Sequence, residues 1–146
     1  MNRSEQIAAE HECARLIYLY AQTLDAYDYD GFVRLWADDG VWVTLKGPQS
    51  GHAEIRSYLD ARPPGQVARH VVSNVVVDVL DANRARGRSY YAFFPGTPSK
   101  SGRLAILGGA ALMGEYNDEF RLTADGWRFA RREIIMTMAA PVKKDG

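Results

Sequence analysis

The chain has 146 residues, of which 47% are hydrophobic and 25% charged. A chain of this length folds as one domain that buries roughly two-thirds of its unfolded surface around a single core. Lysine plus arginine and aspartate plus glutamate each number 18, which gives a formal net charge of zero. This balance excludes the basic field that binding to nucleic acid or to an anionic membrane requires. A small hydrophobic molecule is the partner that such a surface favours.

The sequence contains few side chains that are typical metal ligands. Cys13 is the only cysteine, so neither an internal disulfide nor a cysteine-based zinc cluster can form. The three histidines, His11, His52 and His70, have no common ligand spacing. We therefore expect no metal and no cofactor.

The ends of the chain carry no targeting signal that we recognise. The N-terminus is polar and lacks the apolar region of a signal peptide, and no run of about 18 or more apolar residues could span a bilayer. The sequence predicts one cytoplasmic domain over residues 1–146, with loose termini at residues 1–3 and 141–146.

The most informative residue is Asp25, an acid placed where helical spacing requires an apolar side chain. The spacing predicts a first helix, capped by Asn2 or Ser4, that ends near Asp25. Burying a carboxylate without a partner costs several kcal/mol, so the fold should supply a cation or a donor opposite Asp25. His70 is the only histidine in a strongly strand-like run and is our candidate for that partner. The apolar stripe that leads to Asp25 consists of Ala14, Ile17, Ala21 and Leu24.

The rest of the first half predicts short elements. Asp30 can cap a second helix over residues 31–36. Alternating apolar residues predict a strand over residues 41–45, and the glycines of residues 47–51 indicate a turn. A third helix follows over residues 53–59.

The second half predicts strands only. One long run contains Gly108, Gly109 and Gly114, which allow a strand to bend or bulge as a sheet curls around a cavity. Helices followed by a meander indicate an α+β fold with a cone-shaped barrel, in which a curled, mostly antiparallel sheet has its concave face covered by the three helices. The predicted strands are residues 68–80, 84–94, 104–122 and 127–139.

Four segments carry a resemblance to a known family: LDAYDYDGFVRLWADDGVW, GHAEIRSYL, RHVVSN and EYNDEFRLTADGWRF. Together they resemble the SnoaL-like branch of the nuclear-transport-factor-like superfamily over nearly the whole chain. The resemblance implies a cone-shaped α+β barrel. It also implies an activity, because the scytalone dehydratases and hexachlorocyclohexane dehydrochlorinases of this group use an aspartate and histidine pair that matches Asp25 and His70.

The resemblance to the dehydrochlorinases is the closer and implies further site residues. Trp42 and Tyr116 match pocket aromatics, and Arg132 matches an arginine that helps bind the leaving group. Tyr20 departs from the pattern, because the dehydrochlorinases have at that position a lysine that assists chloride departure. A tyrosine hydroxyl there can polarise a carbonyl or protonate a departing hydroxide. We expect the substrate pocket to be lined by Trp42, Tyr116, Leu112, Val72, Ile134 and Met136.

The chemistry of such a pair suits elimination or isomerisation, and the resemblance points to a lyase. A histidine that donates one ring N–H to a carboxylate is held in a single tautomer, and its other nitrogen becomes a better base for removing a proton from carbon. We therefore expect a cofactor-independent dehydratase or dehydrohalogenase, with His70 as base and Asp25 orienting it. Two alternatives stay open: an isomerase or cyclase in which Asp25 is the base, and a non-catalytic ligand-binding protein or oxygenase small subunit.

Other conspicuous side chains have structural explanations. We expect the aromatic residues Tyr90, Tyr91, Phe93 and Phe94 to serve the core and subunit contacts rather than a ligand pocket. Apolar residues on both faces of the last two long runs indicate that a second subunit covers one face, in a homodimer or homotrimer.

Overall fold

The computed structural model describes residues 1–141 as an open, curled, mostly antiparallel sheet of seven strands with three helices. The predicted α+β class is confirmed. The predicted loose C-terminus, residues 141–146, lies largely outside the described residues. The helices are α1 (Arg3–Asp25), α2 (Tyr29–Val33) and α3 (Gly51–Asp60). The strands are β1 (Trp36–Thr44), β2 (Gly47–Ser50), β3 (Val67–Val79), β4 (Arg84–Pro98), β5 (Ala105–Leu107), β6 (Leu112–Thr123) and β7 (Gly126–Ala139).

Helix α1 begins with a capping box. The Asn2 side chain accepts a hydrogen bond from the Glu5 backbone N–H at 3.0 Å, and the Glu5 carboxylate accepts one from the Asn2 N–H at 2.7 Å. This exchange ties Asn2 and Arg3 into the helix, so the expectation of a loose terminus does not hold for these two residues. The predicted end of the helix at Asp25 is confirmed.

The second helix begins earlier than predicted. Its cap is Asp28, whose side chain accepts from the Gly31 N–H at 2.9 Å, and not Asp30. Tyr27 adopts a left-handed conformation, with φ of 58°, which reverses the chain right after α1 and brings Asp28 into the capping position. Trp36 consequently belongs to β1, where its ring packs on Phe129 at a centroid distance of 5.1 Å.

Two predicted boundaries in the sheet also change. The expected turn at residues 47–51 contains a short strand, β2, which pairs with β1 in the hairpin. The expected strand over residues 104–122 is two strands, β5 and β6, because the chain leaves the sheet at Gly108 and Gly109, the latter with φ of 94°. The predicted irregularity at Gly114 is confirmed by a register shift between Met113 and Gly114.

The strand order is β2-β1-β7-β6-β4-β3, with β5 paired to β4, and every pair is antiparallel except β1 with β7. Register places His70 beside Phe93, and Phe93 beside Leu112, on three adjacent strands. Directly paired residues share one face of a sheet, so these three side chains point to the same side. Helix α1 packs across that side, chiefly against β3.

The core lies between the helices and this inner face. The side chains of Ile17, Phe32, Ile55 and Phe129 are fully buried there. Each contributes about 1.5–3 kcal/mol by leaving water. None of the helices described is both long and apolar enough to cross a membrane.

Candidate active site

Asp25 and His70 form a two-point contact between the end of α1 and the start of β3. His70 Nδ1 lies 2.6 Å from Asp25 Oδ1, and the His70 backbone N–H donates to Asp25 Oδ2 at 2.8 Å. The side chain of His70 is only 15% exposed, and that of Asp25 only 9%. The apolar stripe of α1 therefore ends in an acid because that acid has a dedicated partner on the sheet.

This contact fixes how the imidazole can act. An ionised carboxylate can only accept hydrogen bonds, so Nδ1 carries the proton shared with Asp25 and Nε2 of the neutral ring has a free lone pair. Nε2 makes no hydrogen bond with residues 1–141. The ring also packs on Phe93, with centroids 4.9 Å apart. A histidine held in this way presents an oriented base.

His70 lines a cavity of about 260 Å³ between α1, α3 and the inner face of the sheet. Six of the predicted site residues lie on it: Tyr20, Trp42, His70, Leu112, Tyr116 and Ile134. The complete lining is Tyr20, Leu24, Trp42, Thr44, Leu45, Tyr58, Arg62, Gln66, His70, Tyr91, Phe93, Leu112, Tyr116 and Ile134.

Four predicted site residues do not line this cavity, and one of them, Asp25, lies behind His70. Val72 is partly buried and packs against the core, two positions beyond His70. Met136 is 50% exposed, because the irregular end of β7 carries it past the cavity wall. Arg132 is fully buried and lies behind the lining residues Tyr20 and Tyr116.

Arg132 is held by an ion pair and by aromatic faces. Its Nε and Nη2 donate to the two carboxylate oxygens of Asp118, each at 2.7 Å. Its guanidinium carbon lies 4.2 Å from the ring centre of Tyr20 and 4.0 Å from that of Tyr116. Burial raises the pKa of Asp118, and the charge of Arg132 offsets part of that rise. The arrangement supports the two tyrosine rings from behind, and a role of Arg132 at the leaving group stays a prediction.

Three buried tyrosines present hydroxyl groups around the cavity. Burial raises the pKa of Tyr20, Tyr91 and Tyr116 above the ordinary tyrosine value. The nearby Arg132 charge lowers the pKa of Tyr20 and Tyr116 by less than burial raises it. All three phenols therefore keep their protons at neutral pH and can act as hydrogen-bond donors.

Two buried polar atoms of lining residues make no hydrogen bond of good geometry with the described part of the chain. These atoms are Trp42 Nε1 and Tyr91 Oη, in residues that are 3% and 4% exposed. Leaving a buried donor unpaired costs about 1–3 kcal/mol, and neither atom is open to the cavity.

Sequence reasoning missed several lining residues. Tyr91 and Phe93 were expected in the core or at subunit contacts, yet both reach the cavity because they alternate with outward-facing residues on β4. Their spacing of two and the pairing of β4 with the His70 strand could have indicated this. Arg62 and Gln66 lie in the connection after α3, where no periodic pattern fixes the direction of a side chain. No three His, Cys, Asp or Glu side chains within residues 1–141 come together as a metal site.

The architecture is that of the cystatin-like, nuclear-transport-factor-like proteins. The SnoaL-like domain family matches residues 5–133, and the chain belongs to that family. Among curated proteins, none matches the sequence significantly.

Solved structures of similar shape support the same fold. The hexachlorocyclohexane dehydrochlorinase LinA-type3 from Novosphingobium barchaimii superposes with a TM-score of 0.79 and 16% identity, over 97% of this chain and 95% of its own. A protein assigned as a scytalone dehydratase from Novosphingobium aromaticivorans gives 0.75 and 19%, over 99% and 100%. A nuclear-transport-factor-like protein with a cystatin-like fold from Novosphingobium aromaticivorans gives 0.76 and 24%, over 92% and 85%. At these identities the likeness shows the fold alone.

Proposed function

We propose that the protein is a cofactor-independent lyase of the dehydratase or dehydrohalogenase type, acting on a small hydrophobic or alicyclic substrate. His70 is the general base, and Asp25 orients it. The observation that carries the proposal is the double hydrogen bond from His70 to Asp25, which leaves Nε2 free on a residue that lines an apolar cavity. Lyases occur among the proteins of the same fold, which supports the assignment.

The reaction is a β-elimination. His70 Nε2 takes a proton from a carbon of the substrate, and the electron pair of that C–H bond forms the new double bond as the bond to the leaving group breaks. Asp25 stabilises the imidazolium that results. Imidazole bases of this kind contribute about 10²–10⁴-fold to a rate.

The leaving group needs a donor on the opposite wall. Tyr20 and Tyr116 keep their phenolic protons because burial raises their pKa, so either can protonate a departing hydroxide as it becomes water. Tyr20, in place of the lysine of the dehydrochlorinases, favours a leaving group that needs a proton over one that needs a positive charge.

The isomerase alternative, with Asp25 as the base, is less consistent with the geometry. Both carboxylate oxygens of Asp25 already accept hydrogen bonds from His70, and Asp25 does not line the cavity. A base in that position has no direct path to a substrate carbon. A non-catalytic ligand-binding protein needs the cavity but has no use for the oriented imidazole.

The test is a panel of halogenated, hydroxylated and keto alicyclic compounds, followed by substitution of His70. His70→Gln keeps volume and some hydrogen bonding but removes the base, so turnover of any consumed compound should fall by about 100-fold or more while the circular dichroism spectrum is unchanged. His11→Gln, at an exposed position on α1, is the matched control and should keep the parent rate.

Two outcomes would contradict the proposal. A folded His70→Gln variant with the parent rate shows that His70 is not the base. If no compound is consumed but several bind equally to the parent and to His70→Gln, the protein is a ligand-binding module.

A further inference from the structure

A guanidinium group lies on the cavity wall without a carboxylate partner. Arg62 follows α3 in the connection to β3, and its side chain lines the cavity together with His70. Its Nη1 donates to the Leu24 carbonyl at 3.1 Å and to the Tyr29 hydroxyl at 3.3 Å. Arg62 is thus anchored to the end of α1, next to the Asp25 that holds His70.

The anchors of Arg62 are neutral, unlike those of Arg56 and Arg132. Arg56 pairs with Asp30 and Asp60, and Arg132 pairs with Asp118. Within residues 1–141, no Asp or Glu oxygen lies within ion-pair distance of Arg62. The described cavity wall contains no carboxylate residue either. The positive charge of Arg62 is therefore not neutralised where it faces the cavity.

The group is also fixed in place. Its guanidinium carbon lies 4.9 Å from the ring centre of Tyr27 and 5.7 Å from that of Tyr29. The Tyr27 hydroxyl donates to the Pro63 carbonyl and accepts from the Gln66 N–H, each at 3.1 Å, so it holds in place the connection that follows Arg62. Tyr27 does this from a left-handed backbone conformation, a strain that structures keep at sites needing fixed geometry.

We propose that Arg62 binds an anionic group of the substrate, and that the substrate class is small hydrophobic carboxylic acids. Arg62 Nε and Nη2 make no hydrogen bond with the described residues, and two such donors form the planar fork that binds a carboxylate bidentately. The apolar body of the acid occupies the wall formed by Phe93, Leu112 and Ile134, which leads to His70. The identification of this ligand as a substrate rests on the proposed lyase function, whereas its binding does not.

The cavity limits the size of the acid. Its volume of about 260 Å³ lies just below the range of about 300–1,000 Å³ that holds drug-sized ligands. A single ring with one carboxylate is the scale that fits. A dianion is disfavoured, because the described cavity wall provides one fixed positive charge.

The experiment compares an acid with its neutral analogue by calorimetric titration. Cyclohexanecarboxylate and cyclohexanecarboxamide have nearly the same shape and differ in charge. A charge-assisted bidentate pair is worth about 1.5–3 kcal/mol, so the parent should bind the acid about tenfold to a hundredfold more tightly than the amide. The preference should decrease as salt is raised.

Substitution assigns the preference to one residue. Arg62→Gln should bind the amide as the parent does and lose the preference for the acid, while Arg62→Lys should keep part of it. Arg69→Gln is the matched control, because Arg69 is an exposed arginine of β3 beside His70, and it should behave as the parent.

Several results would overturn the proposal: absence of acid binding to the parent, equal affinity for acid and amide, or an undiminished preference in folded Arg62→Gln. If Arg62→Gln does not fold, Arg62→Lys and the salt dependence of the parent decide the question. His70→Gln separates this proposal from the lyase function. It should retain the preference for the acid whether or not any compound is turned over.

Discussion

The carboxylate of Asp25 contacts His70 at two points, the ring Nδ1 at 2.6 Å and the backbone N–H at 2.8 Å. Asp25→Asn keeps one neutral acceptor oxygen for one of these contacts and places an amide NH₂, which is a donor, at the other. The amide favours the wrong imidazole tautomer and cannot stabilise an imidazolium, so turnover should fall by about 100-fold or more. Steady-state kinetics on a compound from the panel measures the fall.

The tautomer itself provides a readout that a merely structural role of Asp25 would not change. Nitrogen-15 NMR of the labelled protein should show Nδ1 protonated in the parent, and a changed tautomer in Asp25→Asn. Asp125→Asn, in the exposed turn before β7, is the control and should alter neither rate nor spectrum. An unchanged rate in folded Asp25→Asn contradicts the orienting role.

The pair of Arg132 and Asp118 predicts a large stability effect. Both side chains are fully buried, with two hydrogen bonds of 2.7 Å between them. Asp118→Asn leaves Arg132 charged without its partner, which should cost about 3–5 kcal/mol of unfolding free energy in urea titrations. Replacing both residues by apolar ones should recover much of that loss, because no buried charge remains.

The exposed pair of Arg131 and Glu133 provides the comparison. These side chains are 41% and 45% exposed, so Glu133→Gln should change the urea midpoint far less than Asp118→Asn does. Equal effects of the two substitutions would mean that the Arg132 pair does not carry the stability assigned to it.

Gly114 allows the cavity wall to close at the bulge between β6 and β7. A Cβ at this position would lie 1.9 Å from the Ile135 carbonyl oxygen and 2.9 Å from Tyr91 Oη. Gly114→Ala must shift backbone or displace Tyr91, so it should lower the unfolding free energy by about 1–3 kcal/mol and weaken ligand binding. Gly108→Ala is the control, because a Cβ there meets no atom within 4 Å. If both variants melt at the parent temperature, the close approach at Gly114 is not a constraint.

Several apolar side chains on the outer face of the sheet are exposed to water in the single chain. Val71, Tyr90 and Met113 are 52%, 49% and 40% exposed. Beside them, adjacent strands place Asp78, Arg86, Glu119 and Arg131 in one row of alternating charge. A two-fold axis that lies parallel to the sheet, perpendicular to that row and above its middle, brings each acid opposite a base of a second copy. We propose that a second copy of this chain covers the outer face.

Sedimentation equilibrium at micromolar concentration should therefore give twice the 16.3 kDa of the chain. Arg86→Glu should weaken the dimer because it places two acids opposite each other across the axis, and adding Glu119→Arg should restore the dimer because an acid again faces a base there. A monomer contradicts the proposal, and a trimer contradicts the two-fold arrangement of the row.

Much of the site was already present in local sequence patterns. Asp25 could be recognised because helical periodicity made it an acid on an apolar stripe, and a buried acid requires a partner. His70 could be placed on a strand because its β-branched neighbours predict one. Inward-facing and outward-facing residues alternate along β4, and this pattern places Tyr91 and Phe93 on the inner face. The pattern alone does not decide whether they face the core or the cavity.

Tertiary structure decided the features that depend on long-range neighbours. Asp28 rather than Asp30 caps α2, because the reversal at Tyr27 sets where the next helix can begin. Arg132 lies behind the cavity wall rather than on it, because Asp118 on the neighbouring strand holds its guanidinium there.

The sequence by itself determined the α+β class, the first helix with its acid, and the strand that carries the histidine, because these depend on the spacing of side chains along the chain. Only the tertiary structure decided that Arg62 faces the cavity unpaired and that Met136 does not face it. The direction of a side chain in a connection or beyond a bulge is set by contacts with residues far away in the chain, and no local period encodes those contacts.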